Sequence, residues 1–545
     1  MLDPKVSNLV SRELEKESIV VFDEAHNIDN VCIEALSVTL DRRALEASAR
    51  AIRTLENKVK EMKSSDATRL NSEYSALVSG LAEQGLVQHL PDAIIANPIL
   101  PQDILDEAVP GNIRKAEHFV VFLKRVVEFM KKKLKGPVIE KQTPLALLFA
   151  MFEQASIERK SLRFTYTRLN SLLRTLQITT IEDFSSLLET SNFVSLLSTY
   201  LEGFLIILEP EGSIVSGVKE PLLQLCCLDA SLAIKPVIER FRSVIITSGT
   251  LSPIELYPKL LNFNPCVRSQ LPMSTFRPCL LPLVVTRGAD MTPLTTRFES
   301  RSDEAIIRNY GQLLLEVCKA VPDGVCCFFT SYMYMEIVIG LWDQMRIIQE
   351  IMNVKLIFLE TKDVVETTLA LDNYKRACDC GRGAIFFSVA RGKVAEGIDF
   401  DRHYGRCVIL FGVPYQYTKS HVLQARLEFM RTNYHIKEND FLTFDAMRQA
   451  AQCVGRVIRS KTDYGIVILA DARFNRNDKR SKFPPWITQF LNETSSLNLS
   501  TDIAVEQIKS FLRELGQPID QSMLRTILIS EEQLRTRTAS IATVQ

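Results

Sequence analysis

The stretch Ile19-Val20-Val21-Phe22-Asp23-Glu24-Ala25-His26 joins four apolar residues to two acids and a histidine. A short β-branched and aromatic run bounded by charge predicts a strand that is buried on both faces, as in a parallel sheet. Side chains that follow such a strand lie at the carboxyl edge of the sheet, where open α/β folds bind their ligands. The stretch therefore predicts an α/β fold with a polar site directly after residue 22.

A second buried strand is predicted at Val244–Thr247, far along the chain from the first. It leads into Ser248-Gly249-Thr250-Leu251-Ser252-Pro253. Serine is a common helix cap and proline is favoured at the first helical position, so a helix is predicted to begin at Pro253 with Ser252 as its cap. We expect Ile19–Phe22 and Val244–Thr247 to be parallel neighbours in one sheet.

The residues between these two strands, from about 41 to 195, show the apolar spacing of helices. Arg42–Met62 and Leu70–Leu86 are predicted to form a helical hairpin, and Ala116–Leu134 an amphipathic helix that ends in four lysines. These lysines could contact DNA phosphates, but cations are also favourable at a helix C-terminus, and we prefer this second interpretation. Strand-like segments return at Phe204–Leu208 and Leu222–Leu228.

After about residue 273 strands and helices alternate, which predicts a doubly wound α/β domain. The predicted strands are Val325–Phe329, Lys355–Phe358, Ala384–Ser388, Arg406–Phe411 and Gly465–Leu469. The predicted helices are 301–320, 332–348, 364–378, 419–431 and 443–460.

The composition limits the classes of protein to which the chain can belong. The chain has 545 residues, 46% of them apolar and 24% charged, with a formal net charge of zero. No global field therefore attracts nucleic acid, and contacts with DNA must come from local basic patches. The apolar runs are far shorter than the ~20 residues that cross a bilayer, and no signal peptide is visible. The twelve cysteines lack the paired spacing of zinc ligands and are interpreted as buried thiols.

The acids after the first strand fit phosphoryl transfer, which needs one carboxylate to hold Mg²⁺ and a second group to orient or deprotonate the attacking water. Asp23 suits the metal role, and Glu24 suits the second role while also lying near the metal. His26 could sense the γ-phosphate of ATP. A solvated turn is the alternative, and the four apolar residues before Asp23 argue against it.

A second group of candidates lies near the end of the last predicted helix. Arg456 and Arg459, three residues apart, are predicted to share a face with Gln452, while Gly455 allows a close approach to the neighbouring domain. The planar guanidinium group suits the spread charge of a phosphoryl transition state. We expect the three side chains to contact ATP from across a cleft.

The loop after the strand Ala384–Ser388 combines glycines, cations and an acid. Arg391, Gly392 and Lys393 are predicted to hold a DNA phosphate. Gly397 and Asp399 are assigned to the nucleotide, with Asp399 reaching the ribose or receiving an arginine from across the cleft. After the strand Val325–Phe329, Ser331 and Tyr332 are also expected to contact nucleic acid.

No phosphate-binding loop, G-x-x-x-x-G-K-[ST], occurs in the chain, since Gly392-Lys393 runs on to Val394. Only 22 residues precede Asp23, fewer than the roughly 30 that a strand, such a loop and its helix require. We therefore expect the missing part to be N-terminal to this chain.

Several strings together resemble helicase superfamily two, and within it the XPD-type iron–sulfur DNA helicases of the transcription and repair factor TFIIH. They are DEAH (23–26), TSGTLSP (247–253), SVARGKVAEGIDF (388–400), FGVPYQYTKS (411–420) and ENDFLTFDAMRQAAQCVGRVIRSKTDYG (438–465). The resemblance implies an α/β fold of two RecA-like doubly wound parallel sheets, the first incomplete, with an inserted, mainly α-helical Arch domain. The expected boundaries are 1–33 and 233–272 for the first motor domain, 34–232 for the Arch, 273–520 for the second motor domain and 521–545 for a tail.

The resemblance also implies a 5′→3′ DNA helicase subunit that uses ATP and Mg²⁺ in nucleotide-excision repair and transcription initiation, in the nucleus. Its implied partners are single-stranded and forked DNA, the TFIIH core subunits and, through the Arch, the cyclin-activated kinase module; no membrane is implied. We expect no iron–sulfur cluster, because none of the twelve cysteines occupies the family's cluster positions. Without a phosphate-binding loop, this chain alone is expected to be inactive. The alternatives are a non-catalytic scaffold for TFIIH partners and another iron–sulfur helicase that acts in replication.

Overall fold

The computed structural model describes residues 2, 14–83, 116–136, 138–178, 180–210, 220–271, 278–458 and 463–517. It gives the side chains of these residues apart from 63, 65–83, 181, 393 and 396. The predicted tail at 521–545 lies outside this description.

The described strands form three sheets. They are β1 (Ile19–Phe22), β2 (Val38–Asp41), β3 (Glu140–Gln142), β4 (Phe204–Glu209), β5 (Leu222–Cys227), β6 (Ser243–Ile246), β7 (Leu280–Arg287), β8 (Gly324–Phe329), β9 (Leu356–Leu359), β10 (Ala384–Val389), β11 (Cys407–Phe411), β12 (Gly465–Ala470) and β13 (Leu499–Ser500).

The described α-helices that precede residue 280 are α1 (Ile28–Leu36), α2 (Arg42–Glu83), α3 (Ala116–Lys133), α4 (Pro144–Ala155), α5 (Arg159–Arg163), α6 (Thr165–Thr175), α7 (Ser185–Thr199), α8 (Ser231–Arg240) and α9 (Leu256–Leu260). Those that follow are α10 (Glu304–Ala320), α11 (Tyr332–Gln344), α12 (Ile347–Val354), α13 (Val364–Asp379), α14 (Lys393–Gly397), α15 (His421–Tyr434), α16 (Glu438–Val454), α17 (Asn477–Arg480), α18 (Pro485–Thr488) and α19 (Thr501–Leu515).

Residues 280–517 form the second lobe, built on a seven-stranded parallel sheet in the order β13-β7-β12-β11-β8-β10-β9. The strands β8, β10, β11 and β12 are buried along their whole length, as expected for strands covered by helices on both faces. The five strands predicted from the sequence are confirmed within one residue at each end. Two further strands, β7 and β13, were not predicted. Pro282 interrupts the apolar pattern of β7, and β13 has only two residues.

Residues 14–36 and 231–271 form the first lobe, in which β1 and β6 pair in parallel with Val20 opposite Val244. The predicted pairing of these distant strands is therefore confirmed. The prediction that β1 is buried on both faces is wrong: Val20 is buried, but Ile19 is 67% and Val21 55% exposed. A two-stranded sheet covers only one face here, where Val20 packs against Val237 and Phe241.

Residues 38–227 form the insertion, which is mainly helical as expected but also contains the four-stranded antiparallel sheet β2-β5-β4-β3. The predicted hairpin over 42–86 is wrong, because α2 runs unbroken from Arg42 to Glu83. No proline or glycine lies between residues 63 and 70 to end the helix there. The helix Ala116–Leu134 is confirmed within one residue.

The helix predicted to begin at Pro253 begins instead at Leu256. Ser252 does not cap it; its hydroxyl donates to the carbonyl of Phe483 in the second lobe at 3.3 Å. The serine therefore serves a contact between the lobes, which a local helix rule cannot anticipate.

The two lobes and the insertion share one hydrophobic core. It contains Leu36 of the first lobe, Phe204 of the insertion and Phe444 of the second lobe. Tyr257 meets Phe444 edge to face, with ring centroids 5.5 Å apart. This core places the turn that follows β1 against the helices α15 and α16.

Candidate functional site

The turn after β1 is held against the strand β6. The amide of Ala25 donates to the carbonyl of Thr247 at 3.0 Å. Glu24 adopts a left-handed backbone conformation with φ of 48°, and its amide donates to Asp23 Oδ1 at 2.9 Å. The turn thereby directs both acidic side chains into solvent at the carboxyl edge of the sheet.

Ser248, to which the sequence analysis assigned no role, connects the two motifs of the first lobe. Its hydroxyl donates to Glu24 Oε2 at 2.9 Å and lies 3.0 Å from Nδ1 of His26. His26 Nδ1 is itself 3.2 Å from Glu24 Oε2. A change at any one of these three side chains therefore reaches the other two.

His26 is held in its neutral form. Burial is the main cause of its lowered pKa; the cations of Arg448 and Arg456 lower it further, and Glu24 opposes them. Both arginines belong to the second lobe, so their charges act on the histidine across the boundary between the lobes. The imidazole can therefore respond to a charge that enters this boundary.

Arg456 does not lie on a helix with Gln452, as the sequence predicted. Helix α16 ends at Val454, and Arg456 follows in a turn closed by a bond from its amide to Cys453 O. Val457, which follows Arg456, is fully buried against Gly465, where a Cβ would come within 1.6 Å of its side chain. Gly455 thus follows the helix end and brings no helix face towards the other lobe, and Arg459 lies outside the described residues.

The guanidinium of Arg456 is bound within its own lobe. It donates to the Ala395 carbonyl at 2.9 Å and to Asp399 Oδ1 at 3.0 Å. Asp399 therefore receives an arginine from its own lobe, and a contact with the ribose or with an arginine from across the cleft stays a prediction. Gly397 ends α14, and none of the described residues lies within 4 Å of a Cβ added to it.

Gln452 is buried, and its Oε1 has no hydrogen-bond partner among the described residues. A buried amide oxygen without a partner costs free energy, which a ligand donor would recover. This orphaned group, close to the turn that carries Arg456, fits a site that receives a polar ligand.

The predicted nucleic-acid residues are engaged by protein groups. Ser331 caps α11 by accepting from the amide of Tyr334, and the Tyr332 hydroxyl donates to Glu360 at 2.8 Å. Arg391 donates to the Pro414 carbonyl and to the carboxylate of Asp445. A phosphate contact by Arg391 stays a prediction. Gly392 precedes α14 and Lys393 begins it, with the lysine side chain outside the description.

Glu360, which the sequence analysis did not single out, organises these loops. Its carboxylate accepts from the hydroxyls of Tyr332 and Ser388, the latter at 2.6 Å, and from the amide of Val389. The residue is 2% exposed. It therefore joins the loop after β8 to the loop after β10, and its only sequence signal was a lone acid ending a short strand.

The described residues contain no group of three or more His, Cys, Asp or Glu side chains that could hold a metal ion by themselves. Asp23 and Glu24 are a pair, and Mg²⁺ in nucleotide sites is commonly bound by one or two carboxylates together with substrate phosphates and waters. The acids fit that mode of binding, because Asp23 is exposed and Glu24 keeps a side chain that is 64% exposed.

A RecA-like parallel sheet ending in Asp-Glu-Ala-His, facing a second such lobe with a buried glutamine and an arginine, defines the class as a two-lobed helicase. Three family models match: a DEAD_2 model at residues 1–45, a helical and beta-bridge domain at 58–203, and a helicase C-terminal domain at 314–490. The chain belongs to the family of the TFIIH helicase subunit XPD.

Two relatives support the assignment of the chain to this family. The XPD subunit of Arabidopsis thaliana is 56% identical over 98% of this chain and 70% of the relative. That of Schizosaccharomyces pombe is 53% identical over 96% of this chain and 67% of the relative. A homologue of regulator of telomere elongation helicase 1 from Anopheles gambiae is only 26% identical, over 95% of this chain and 53% of the relative, which disfavours the alternative of another helicase. A solved XPD helicase aligns with a TM-score of 0.49 at 15% identity, over 91% of this chain and 71% of its own.

None of the helices in the described part of the chain combines the length and the apolar character needed to cross a membrane.

Proposed function

We propose that this chain supplies the water-activating acids and the arginine finger of a 5′→3′ DNA helicase of TFIIH, which acts in the nucleus in nucleotide-excision repair and transcription initiation. The observation that carries the proposal is the meeting of the two lobes at His26. The Glu24–Ser248–His26 contacts lie in one lobe, and Arg448 of the other lobe donates to the carbonyl of His26 at 3.0 Å. Nucleotide-driven motors need this arrangement, because ATP binds between the lobes.

Asp23 would hold Mg²⁺ with the phosphates of ATP, and Glu24 would lie beside it. When bound there, the metal would supply positive charge to offset that of the β- and γ-phosphates. Glu24 orients and deprotonates the attacking water, with its carboxylate aligned by the Ser248 hydroxyl at 2.9 Å. Neutral His26, bound to the same serine, relays the loss of the γ-phosphate to β6.

Gln452, Arg456 and Arg459 are proposed to contact ATP from the second lobe, with Gly397 and Asp399 beside them. Asp399 holds Arg456 at 3.0 Å, which keeps the guanidinium extended and limits the freedom it loses on meeting a phosphate. The loops at Ser331–Tyr332 and Arg391–Lys393 are proposed to follow the phosphates of single-stranded and forked DNA, held at a fixed separation by Glu360.

The 545 residues contain no phosphate-binding loop, so we propose that the chain alone does not turn over ATP. The test is a chimera in which the parts of the Arabidopsis relative that this chain does not match are joined to it. We expect DNA-stimulated ATP hydrolysis by the chimera, and a loss of about 10³-fold in Arg456→Ala, as for other arginine fingers. Arg431→Ala, which removes an exposed ion pair with Glu438, is the matched control and should leave the rate unchanged.

Two results would contradict the proposal. Near-normal hydrolysis by the Arg456→Ala chimera assigns that arginine to the fold alone. Hydrolysis by the unmodified chain that disappears in Glu24→Gln shows that the chain already holds a complete site.

A scaffold function is favoured by one observation in the insertion. Helix α4 leaves Leu145, Phe149 and Phe152 between 57% and 62% exposed, at the spacing of one helix face. We propose that this face binds a TFIIH partner, with the cyclin-activated kinase module as first choice and a core subunit as second. Phe149→Ser should abolish co-purification with reconstituted TFIIH subunits, whereas Phe298→Ser, which is 74% exposed in the second lobe, should not.

A further inference from the structure

Five charged side chains of alternating sign form a continuous chain that runs from α15 of the second lobe, through Asp29 of the first lobe, to α16 and the loop after β10. Each neighbouring pair is joined by a direct hydrogen bond between guanidinium and carboxylate. In spatial order the chain is Arg426–Asp29 (2.8 Å), Asp29–Arg448 (2.5 Å), Arg448–Asp445 (2.6 Å) and Asp445–Arg391 (2.5 Å). We call this set the charge chain.

The charge chain is buried. Asp29 and Asp445 are 0% exposed, and Arg448 is 1% exposed. Removing such charges from water is costly, and apolar residues of similar volume often give equal or greater stability. In addition, Nε of Arg448 has no partner among the described residues. General stability is therefore a poor explanation for these residues, and a specific geometric role explains them better.

The geometry shows what Arg448 holds. One guanidinium nitrogen donates both to Asp29 and, at 3.0 Å, to the carbonyl of His26, while the other donates to Asp445. Asp29 lies on α1, directly behind the turn that carries Asp23 and Glu24. Arg448 lies on α16, one helical turn before Gln452.

We propose that Arg448 is a positioning residue that fixes α16, and with it Gln452 and Arg456, against the turn of the catalytic acids. Through Asp445 the same residue fixes Arg391, and hence the proposed nucleic-acid loop. One buried arginine thus sets the position of the arginine finger and of a DNA contact relative to Glu24. The roles of Glu24, Arg456 and Arg391 in this proposal rest on the proposed function. The contact between Arg448 and Asp29, which joins the two lobes, does not depend on it.

The effect of this contact on the distance between the lobes can be measured without ATP or DNA. Of the twelve cysteines only Cys266 and Cys380 are exposed, and they lie in different lobes. Spin labels on these two native thiols report the distance between the lobes by double electron–electron resonance. The variants are Arg448→Met and Asp29→Asn, which both remove the Arg448–Asp29 ion pair; Asp29→Asn also removes the pair of Asp29 with Arg426. Arg431→Met is the control, since Arg431 pairs with Glu438 at an exposed site within the second lobe.

We expect the distance distribution to broaden about twofold or more in Arg448→Met and Asp29→Asn, as for lobes released at a hinge, and to stay unchanged in Arg431→Met. A melting temperature lowered by either variant with a distribution as narrow as that of the wild type would show a purely structural role and overturn the proposal. If Arg448→Met does not fold, the nearly isosteric Asp29→Asn decides alone. Because no hydrolysis is measured, failure of the proposed function cannot produce either result.

Discussion

At the scale of single residues, Gly392 shows how tightly the loop after β10 is built. A Cβ at this position would lie 2.6 and 2.7 Å from the two carboxylate oxygens of Glu360. That carboxylate cannot easily move, because Ser388 and Tyr332 hold it at 2.6 and 2.8 Å. The glycine is therefore required by its neighbour, whatever further role it has with nucleic acid.

Gly392→Ala should lower the free energy of unfolding by about 1–3 kcal/mol, the usual cost of overpacking a fixed site. Gly397→Ala is the matched control five residues on, where none of the described residues lies within 4 Å of the added Cβ, and its effect should stay within about 0.5 kcal/mol. Chemical denaturation of the two variants measures the difference. Equal stabilities would mean that Glu360 moves freely.

The positions of some site residues follow from local sequence patterns, whereas those of others depend on tertiary contacts. The position of Asp23 and Glu24 follows from the strand before them, which is a local pattern. The position of Arg456 depends on its bonds to Ala395 and Asp399, and the partner of Arg391 comes from α16. Such contacts join residues that only the folded chain brings together. The Asp445 and Arg448 pair was visible as an acid and a base three apart among apolar residues, but their partner Asp29 was not.

At the scale of elements, alternating strands and helices were predictable after residue 280, because buried parallel strands are continuous apolar runs. The order of the strands in the sheet was not, since neighbours such as β7 and β12 are far apart in sequence. The hairpin over 42–86 was predicted wrongly because a long amphipathic helix and two shorter ones have the same periodicity. The edge strand β13 has too few residues to give a pattern.

The contact of α16 with the first lobe should depend on pH through Asp445. Burial raises the pKa of this carboxyl, but the cations of Arg391 and Arg448 outweigh burial and leave the pKa below its ordinary value. A depressed carboxyl pKa contributes stability that is present above the unfolded value of about 3.9 and is lost as the pH falls through the folded value.

Asp445→Asn should therefore cost about 3–5 kcal/mol at neutral pH, because it leaves two buried arginines without their shared carboxylate. The cost should stay constant from pH 8 to pH 5 and shrink below about pH 3.9. Asp440→Asn, an exposed position on the same helix, should show only a small effect at every pH. Denaturation curves across the pH range test this; a cost that already declines near pH 6 would contradict it.

At the scale of the whole molecule, we expect the second lobe to be more stable than the first. Two large apolar cores lie wholly within the second lobe, on the two faces of its seven-stranded sheet. The first lobe has a two-stranded sheet and depends on a core shared with the insertion and α15. The second lobe should therefore survive conditions that open the first.

Limited proteolysis should cut first within residues 14–30 and 240–271 and leave a resistant fragment that spans β7 to α19. Mass spectrometry of the fragments identifies the cut sites. Uniform resistance of residues 14–271 would show that the shared core makes the molecule a single cooperative unit.

The exposed face of the β1–β6 sheet should affect how readily the protein is degraded in a cell. Ile19, Val21 and Ile245 are 67%, 55% and 49% exposed, and they form an apolar strip on strands that pair only with each other among the described strands. Such strips are recognised by chaperones and can template pairing with another chain. Whatever covers the strip also protects the protein from degradation, because a ligand that binds only the folded form shifts the balance away from the unfolded one. A ligand that covers β1 and binds only the folded form should therefore raise the amount of this protein in a cell.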